Sequence, residues 1–165
     1  MHNKRQIETK LIASRGKLLR AVEGLSDAGW QWRPADGRWS VRLILAHVGA
    51  AQWDHLEAAN RFLAGQPVAL PGFDLDAWNA AAVAQRDSWT VEQIRADLDA
   101  VHQATLAFLE ALDAEQLSVA GSHPASGEVS VGQILRVIAL HDNLHRRDVF
   151  NLRREMNETA EVAER

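Results

Sequence analysis

Apolar residues recur at three- and four-residue spacing in four long segments, and no segment sustains the alternation of a strand. In the first, Ile7, Leu11, Leu18, Val22 and Leu25 share a face. The second opens after Ser40, a good N-cap, and carries Val41, Ile44, Leu45, Val48, Gln52, Leu56, Ala59 and Leu63. It ends near Ala64, where Gly65 and Pro67 stop a helix. Thr90-Val91-Glu92-Gln93 reads as a capping box and starts the third, with Ile94, Leu98, Val101, Thr105, Phe108 and Leu112. Ser130-Val131-Gly132-Gln133 repeats the box and starts the fourth. Its inner stripe is Val131, Ile134, Ile138, His141, His145, Val149 and Leu152. Two histidines therefore occupy positions where apolar residues are expected.

The connections set the topology. The stretch from Gly65 to Trp89 is the longest and predicts a short extra helix around Asp74 to Gln85. A long crossover lets consecutive helices run parallel instead of hairpinning back. Placed between helices two and three, it predicts an all-α, four-helix up-down-down-up bundle. One domain over residues 1–155 is expected, with a polar C-terminal tail over 156–165. The Gly121–Gly127 stretch reads as a plain turn-rich loop. Trp30, Trp32 and Trp39 crowd into the first connection and read as local core, with a ligand wall as the alternative.

At 165 residues the chain is long enough to bury a sizeable core. Hydrophobic residues make up 47% of it, yet no apolar run approaches the ~20 residues of a membrane span. Met1-His2-Asn3-Lys4-Arg5 lacks the apolar stretch of a signal peptide, so a cytoplasmic location is the expectation. The net charge of −4 is spread along the chain. No basic block suggests nucleic acid or an anionic membrane as partner. Arg146, Arg147, Arg153 and Arg154 cluster, but Asp148 and Glu155 interleave with them, as on a solvated helix face. There is no cysteine, which excludes disulfides, thiolate ligands and a cysteine nucleophile, so any thiol chemistry must use a thiol brought in as substrate.

The candidate chemistry lies in the histidines. His141 and His145 are four apart on a helix, so both imidazoles project from one face and can reach one divalent ion. A third ligand is needed, and His47 is the candidate. It lies seven residues after Ser40, roughly 10 Å into helix two, while His145 lies roughly 15 Å before Glu155. Antiparallel packing of helices two and four brings these to similar depth. The alternative is a set of core histidines hydrogen-bonded to Asp, Asn or backbone. His47 falls at the margin of its stripe, beside Ala51 and Ala58, and His55 is a weaker substitute. His2, His102 and His123 read as surface or loop residues. Three neutral nitrogens with an open position is the arrangement of a catalytic site. Each histidine should then engage an outer-shell acceptor through its second nitrogen, with Asp142 and Asp148 near on helix four. Imidazole accepts zinc, nickel, iron or copper.

With these residues assembled, the chain resembles the DinB-like superfamily: damage-inducible DinB proteins, thiol-dependent transferases and mycothiol-dependent maleylpyruvate isomerases. The resemblance rests on Trp39-Ser40 followed by His47, on His141 with His145, on Gly127-Glu128-Val129-Ser130 leading into the last helix, and on Asp76-Ala77-Trp78-Asn79 in the crossover. It implies an up-down-down-up bundle, often a homodimer, with a divalent metal, zinc or nickel first, on His47, His141 and His145. It also implies activation of a low-molecular-weight thiol such as bacillithiol, mycothiol or glutathione. Isomerase relatives can carry a glutamate at the first position of the HxxxH pair, where this chain has His141, which argues against the isomerase reaction.

Three functions compete. The first is a thiol S-transferase acting on a small-molecule substrate. The second is a hydrolase using a metal-activated water, with Asp54, Glu57 or Asp142 as general base. The third is a non-catalytic helical dimer that the metal only stabilises.

Overall fold

The computed structural model describes residues 4–68 and 72–163; His2 lies outside them. Its helices are α1 (Lys4–Ala21), α2 (Asp27–Gln31), α3 (Val41–Leu63), α4 (Leu75–Ala84), α5 (Val91–Ala111) and α6 (Val131–Ala163). A 3-10 turn at Gln116–Ser118 precedes strands β1 (Ala120–His123) and β2 (Gly127–Ser130).

The start signals work as the sequence suggests. Ser40 accepts from the Leu43 amide, and Thr90 forms a full capping box with Gln93. Ser130 and Gln133 exchange the same two bonds at the head of α6, at 3.2 and 2.7 Å. Asp74 caps α4 through the Ala77 amide, which places the crossover helix where the sequence puts it.

Two apolar clusters fix the helix directions. One holds Ile7 and Leu11 of α1, Ala58 to Phe62 of α3, Leu109 of α5, and Ile134 to Ala139 of α6. The other holds Leu18 and Ala21, Val41 to Val48, Ile94 and Leu98, and Val149 and Leu152. Along α1 and α6 the chain passes from the first cluster to the second, whereas along α3 and α5 it passes the other way. The bundle is therefore all-α in its four long elements, with up-down-down-up topology. Arg42, buried on α3, ties down the end of the crossover. It donates to the Asp87 and Trp89 carbonyls at 2.9 and 3.2 Å and pairs with the Asp87 carboxylate at 3.1 Å.

Three features depart from the sequence reading. The turn-rich segment after residue 119 forms an antiparallel hairpin with Ala120 opposite Ser130 and His123 opposite Gly127. Gly127 has φ +67°, which glycine adopts without cost. A Cβ on Gly121 would sit 2.4 Å from the Phe62 ring, so only glycine lets the hairpin lie against α3. Second, α6 runs on through the segment read as a polar tail, to Ala163. Met156 places its sulfur beside Gly29 of α2, and the described side chains beyond it, up to Val162, are exposed. Third, His102 and His123 are buried, at 9% and 8% exposure, not on the surface. The Arg cluster is spent locally: Arg153 donates to the Ala21 carbonyl at 2.6 Å, and Arg146 covers Phe150. Among the described residues no helix is long and apolar enough to cross a membrane.

Candidate metal centre

His47 projects from α3, and His141 and His145 from facing turns of α6. His47 is 5% exposed, inside the bundle and not on its margin. The His141 Nε2 lies 3.1 Å from the His47 Nε2 and 3.0 Å from the His145 Nε2. The three rings are steeply inclined, 67 to 85° apart, with centroids 5.0, 4.9 and 4.4 Å apart. One ligand atom from each residue lies within 4.8 Å of the others, the only such group of three among the described residues.

Hydrogen bonding alone does not satisfy this arrangement. Each neutral Nε2 carries either one proton or one in-plane lone pair, so the His141 nitrogen cannot serve both neighbours with good geometry. Burial pushes the protonation of all three rings down. His47 falls to about 4, through desolvation and then the charges of His145 and His55. His141 falls to about 2, through desolvation and then the neighbouring imidazoles. His145 is also lowered by burial, against the opposing pull of Asp148. Three neutral lone pairs aimed at one point are what a divalent cation of 2.0–2.1 Å N-bond length requires. The residues fit the group.

The second nitrogens behave unequally. The Asp148 carboxylate stands 2.9 Å from the His145 Nδ1 and holds its proton there, leaving Nε2 free to coordinate. The His47 Nδ1 is buried without a hydrogen-bond partner, contrary to the expectation that every ligand has an outer-shell acceptor. The Trp39 ring packs against the His47 imidazole, with centroids 5.1 Å apart and planes tilted by 47°.

The remaining candidate carboxylates point elsewhere. Asp142, 1% exposed, gives both oxygens to Arg15 at 3.1 Å, so its charge is felt at His145 but its oxygens are engaged by the guanidinium and not by a ring nitrogen. Asp54 accepts from the Trp78 indole at 2.8 Å, and Glu57 pairs with Arg61 on the surface. His55 stacks on His123 at 5.1 Å and meets His141 edge-on at 6.4 Å, adjacent to the trio but outside it.

A cavity of about 420 Å³ opens beside His145. Trp39, Ile44 and Leu152 give it apolar walls, and Arg38, Asp148 and Asn151 supply its polar edge. Arg38 holds the loop in place by binding both oxygens of Glu155, at 2.7 and 3.2 Å. Of the three crowded tryptophans, Trp30 is core as expected, whereas Trp39 faces both a histidine and the cavity.

These pKa shifts predict a pH dependence. An unfolded histidine titrates near 6.5, while folded His47 and His55 titrate near 4 and His141 near 2. Below pH 6.5 the unfolded chain binds protons that the folded chain refuses, so stability falls as pH falls towards 4 and is level above 6.5. Each such histidine contributes up to about 1.4 kcal/mol per pH unit. The urea midpoint of metal-free protein is expected to be clearly lower at pH 5 than at pH 7. Equal midpoints would mean that the buried imidazoles are not held neutral.

Fold and site together define a helical-bundle protein with, among the described residues, one three-histidine cluster, buried at His47 and half-buried at His141 and His145. The chain belongs to the DinB superfamily, whose family model matches residues 10–149. It is 24% identical over 141 residues to a protein of Oceanobacillus iheyensis that carries a provisional metal-dependent hydrolase name, covering 86% of this chain and 78% of that one. YfiT from Bacillus subtilis, provisionally assigned as a metal-dependent hydrolase with an unusual four-helix bundle topology, superposes with a TM-score of 0.76. That match has 22% identity and covers 93% of this chain and 87% of YfiT. The mycothiol-dependent maleylpyruvate isomerase superposes with a TM-score of 0.67 at 14% identity, over 89% of this chain and 60% of its own length. At these identities the likeness establishes the fold.

Proposed function

We propose that this protein is a metal-dependent enzyme that holds a divalent ion, zinc or nickel, on His47, His141 and His145 and uses it to activate a low-molecular-weight thiol. The observation that carries the reading is the convergence of three neutral Nε2 atoms beside a cavity with an apolar wall. Such an ion supplies Lewis acidity that lowers the pKa of a coordinated thiol or water.

The chain's own residues divide the remaining work. Asp148 fixes the His145 tautomer, and Trp39 shields His47 and offers an indole face to an apolar electrophile. Ile44 and Leu152 keep water from that part of the cavity. In the transfer the thiol would release its proton to solvent, a sulfur–carbon bond would form, and the electrophile's leaving group would depart with the bonding pair. The absence of cysteine is consistent with a sulfur that arrives with the co-substrate.

Hydrolysis is the second reading, supported by the provisional names of the Oceanobacillus and Bacillus relatives. It needs a general base, and Asp54, Glu57 and Asp142 are all engaged elsewhere. Asp148 is the carboxylate that lines the cavity. A homodimer is part of the proposal: Leu140 and Leu144 project from the outer face of α6, 68% and 53% exposed, and a second copy would cover them.

The test is a conjugation assay with bacillithiol, mycothiol and glutathione against a generic aryl halide, with zinc or nickel restored to chelated protein. Metal-dependent product formation with at least one thiol is expected. Metal-dependent ester or amide cleavage with no conjugation would replace this reading by the hydrolytic one. Neither activity in fully metal-loaded protein would favour a structural role for the ion.

A further inference from the structure

A second cavity, of about 320 Å³, lies between α3 and the crossover helix α4 and shares no lining residue with the one beside His145. Two indoles line it. Trp53 and Trp78 are 36% and 42% exposed, unusual for residues of that size in a packed bundle. Each ring is pinned by its single polar atom: Trp53 donates to Asp97 at 2.9 Å and Trp78 to Asp54 at 2.8 Å. With the N–H groups tied down, the rings have a fixed orientation; the Phe73 ring lies 5.8 Å from that of Trp78, and both indoles keep part of their surface exposed. Ala50 and the alanines of α4 leave the space between them open.

Two charged side chains line this cavity, Asp54 and Arg86, and a third, Asp97, stands beside it. Arg86 lies 3.6 Å from Asp97, donates to the Ala82 carbonyl at 3.2 Å and covers the Trp89 ring at 5.0 Å. Arg86 and Asp97 therefore neutralise one another. Asp54 has the Trp78 N–H on one oxygen and, among the described residues, stands in no ion pair; His123, on which its charge acts, has its pKa lowered by burial. A pocket with two aromatic walls and one uncompensated carboxylate attracts a positive charge carried on an apolar body. The ring quadrupoles favour the cation, the carboxylate balances it, and the walls take up the alkyl surface.

We propose that this cavity binds a small organic ammonium ion, with Asp54 as the counter-charge and Trp53 and Trp78 as the aromatic walls. The site is independent of the three-histidine centre. Choline and its neutral carbon isostere 3,3-dimethylbutan-1-ol are the probes, because they share a shape and differ in charge. Binding is followed through the indole N–H resonances of the 15N-labelled protein, assigned with Trp53→Phe and Trp78→Phe. Choline is expected to shift the Trp53 and Trp78 signals and leave that of core Trp30 in place, with affinity at least roughly tenfold above the isostere. Asp54→Asn, which keeps shape and fold, is expected to abolish that preference while metal content stays unchanged. Equal affinity for the two probes would overturn the proposal. So would shifts confined to other tryptophans, an unaltered preference in Asp54→Asn, or no shift up to about 100 mM choline.

Discussion

Asp142→Ala is expected to destabilise the protein by about 3–5 kcal/mol, because it leaves the Arg15 guanidinium buried without its anion. Arg15 and Asp142 are 3% and 1% exposed, deep in the bundle among the buried polar side chains of Ser14, Gln52 and Thr105. Arg15 grips both carboxylate oxygens at 3.1 Å, donates to the Leu98 carbonyl at 2.7 Å, and bonds the Gln52 side-chain oxygen. Gln52 passes the chain on to Thr105 at 2.7 Å. One guanidinium thus joins α1, α3, α5 and α6. At this chain length the loss corresponds to a drop in Tm of roughly 6–20 °C. The double variant Arg15→Met/Asp142→Leu removes both charges together and is expected to lose no more than either single variant. Thermal unfolding of the full cycle checks it, and additive losses would show that the two side chains do not act as a pair.

The network also bears on the site. Asp142 adjoins His141 in α6, so the bond to Arg15 fixes the rotation and height of the turn that presents both α6 histidines to His47. A register device of this kind explains a buried ion pair better than stability does, since a well-packed apolar pair would cost less to bury.

Much of this was legible in the chain because it is local. Ser40, Thr90 and Ser130 announce their helices through side chains that satisfy amides three residues on, and the apolar stripes orient each helix. His141 and His145 are visible as a pair because helical spacing alone makes them neighbours. What escaped depends on distant partners. The hairpin is two strands of four residues each, held by a glycine that clears Phe62, and too short for an alternating pattern to show. His123 is buried because that hairpin lies on α3. Asp142, a reasonable outer-shell candidate from its place beside His141, is claimed by Arg15, 127 residues earlier. The last turns of α6 are polar, and past Met156, whose sulfur reaches Gly29 of α2, the described side chains up to Val162 are exposed.

The largest functional effect is expected from His47→Ala. It removes the nitrogen that α3 offers to the proposed centre and leaves two from a single helix. Loss of an outer-shell partner alone typically weakens a metal site 10–100-fold, so loss of a ligand is expected to exceed about 100-fold. In wild-type protein, metal at a hundred times its Kd adds about 2.7 kcal/mol to folding, roughly 5–10 °C in Tm. The variant should lose that increment and keep its helical circular dichroism, since the apolar clusters do not depend on the imidazole.

Metal content of purified protein, measured by mass spectrometry beside His47→Ala, tests the three-histidine centre most directly. The geometry predicts one tightly held divalent ion per wild-type chain and almost none in the variant after the same dialysis. Stoichiometric metal retained by His47→Ala, or a wild-type chain that takes up no divalent ion, would contradict it.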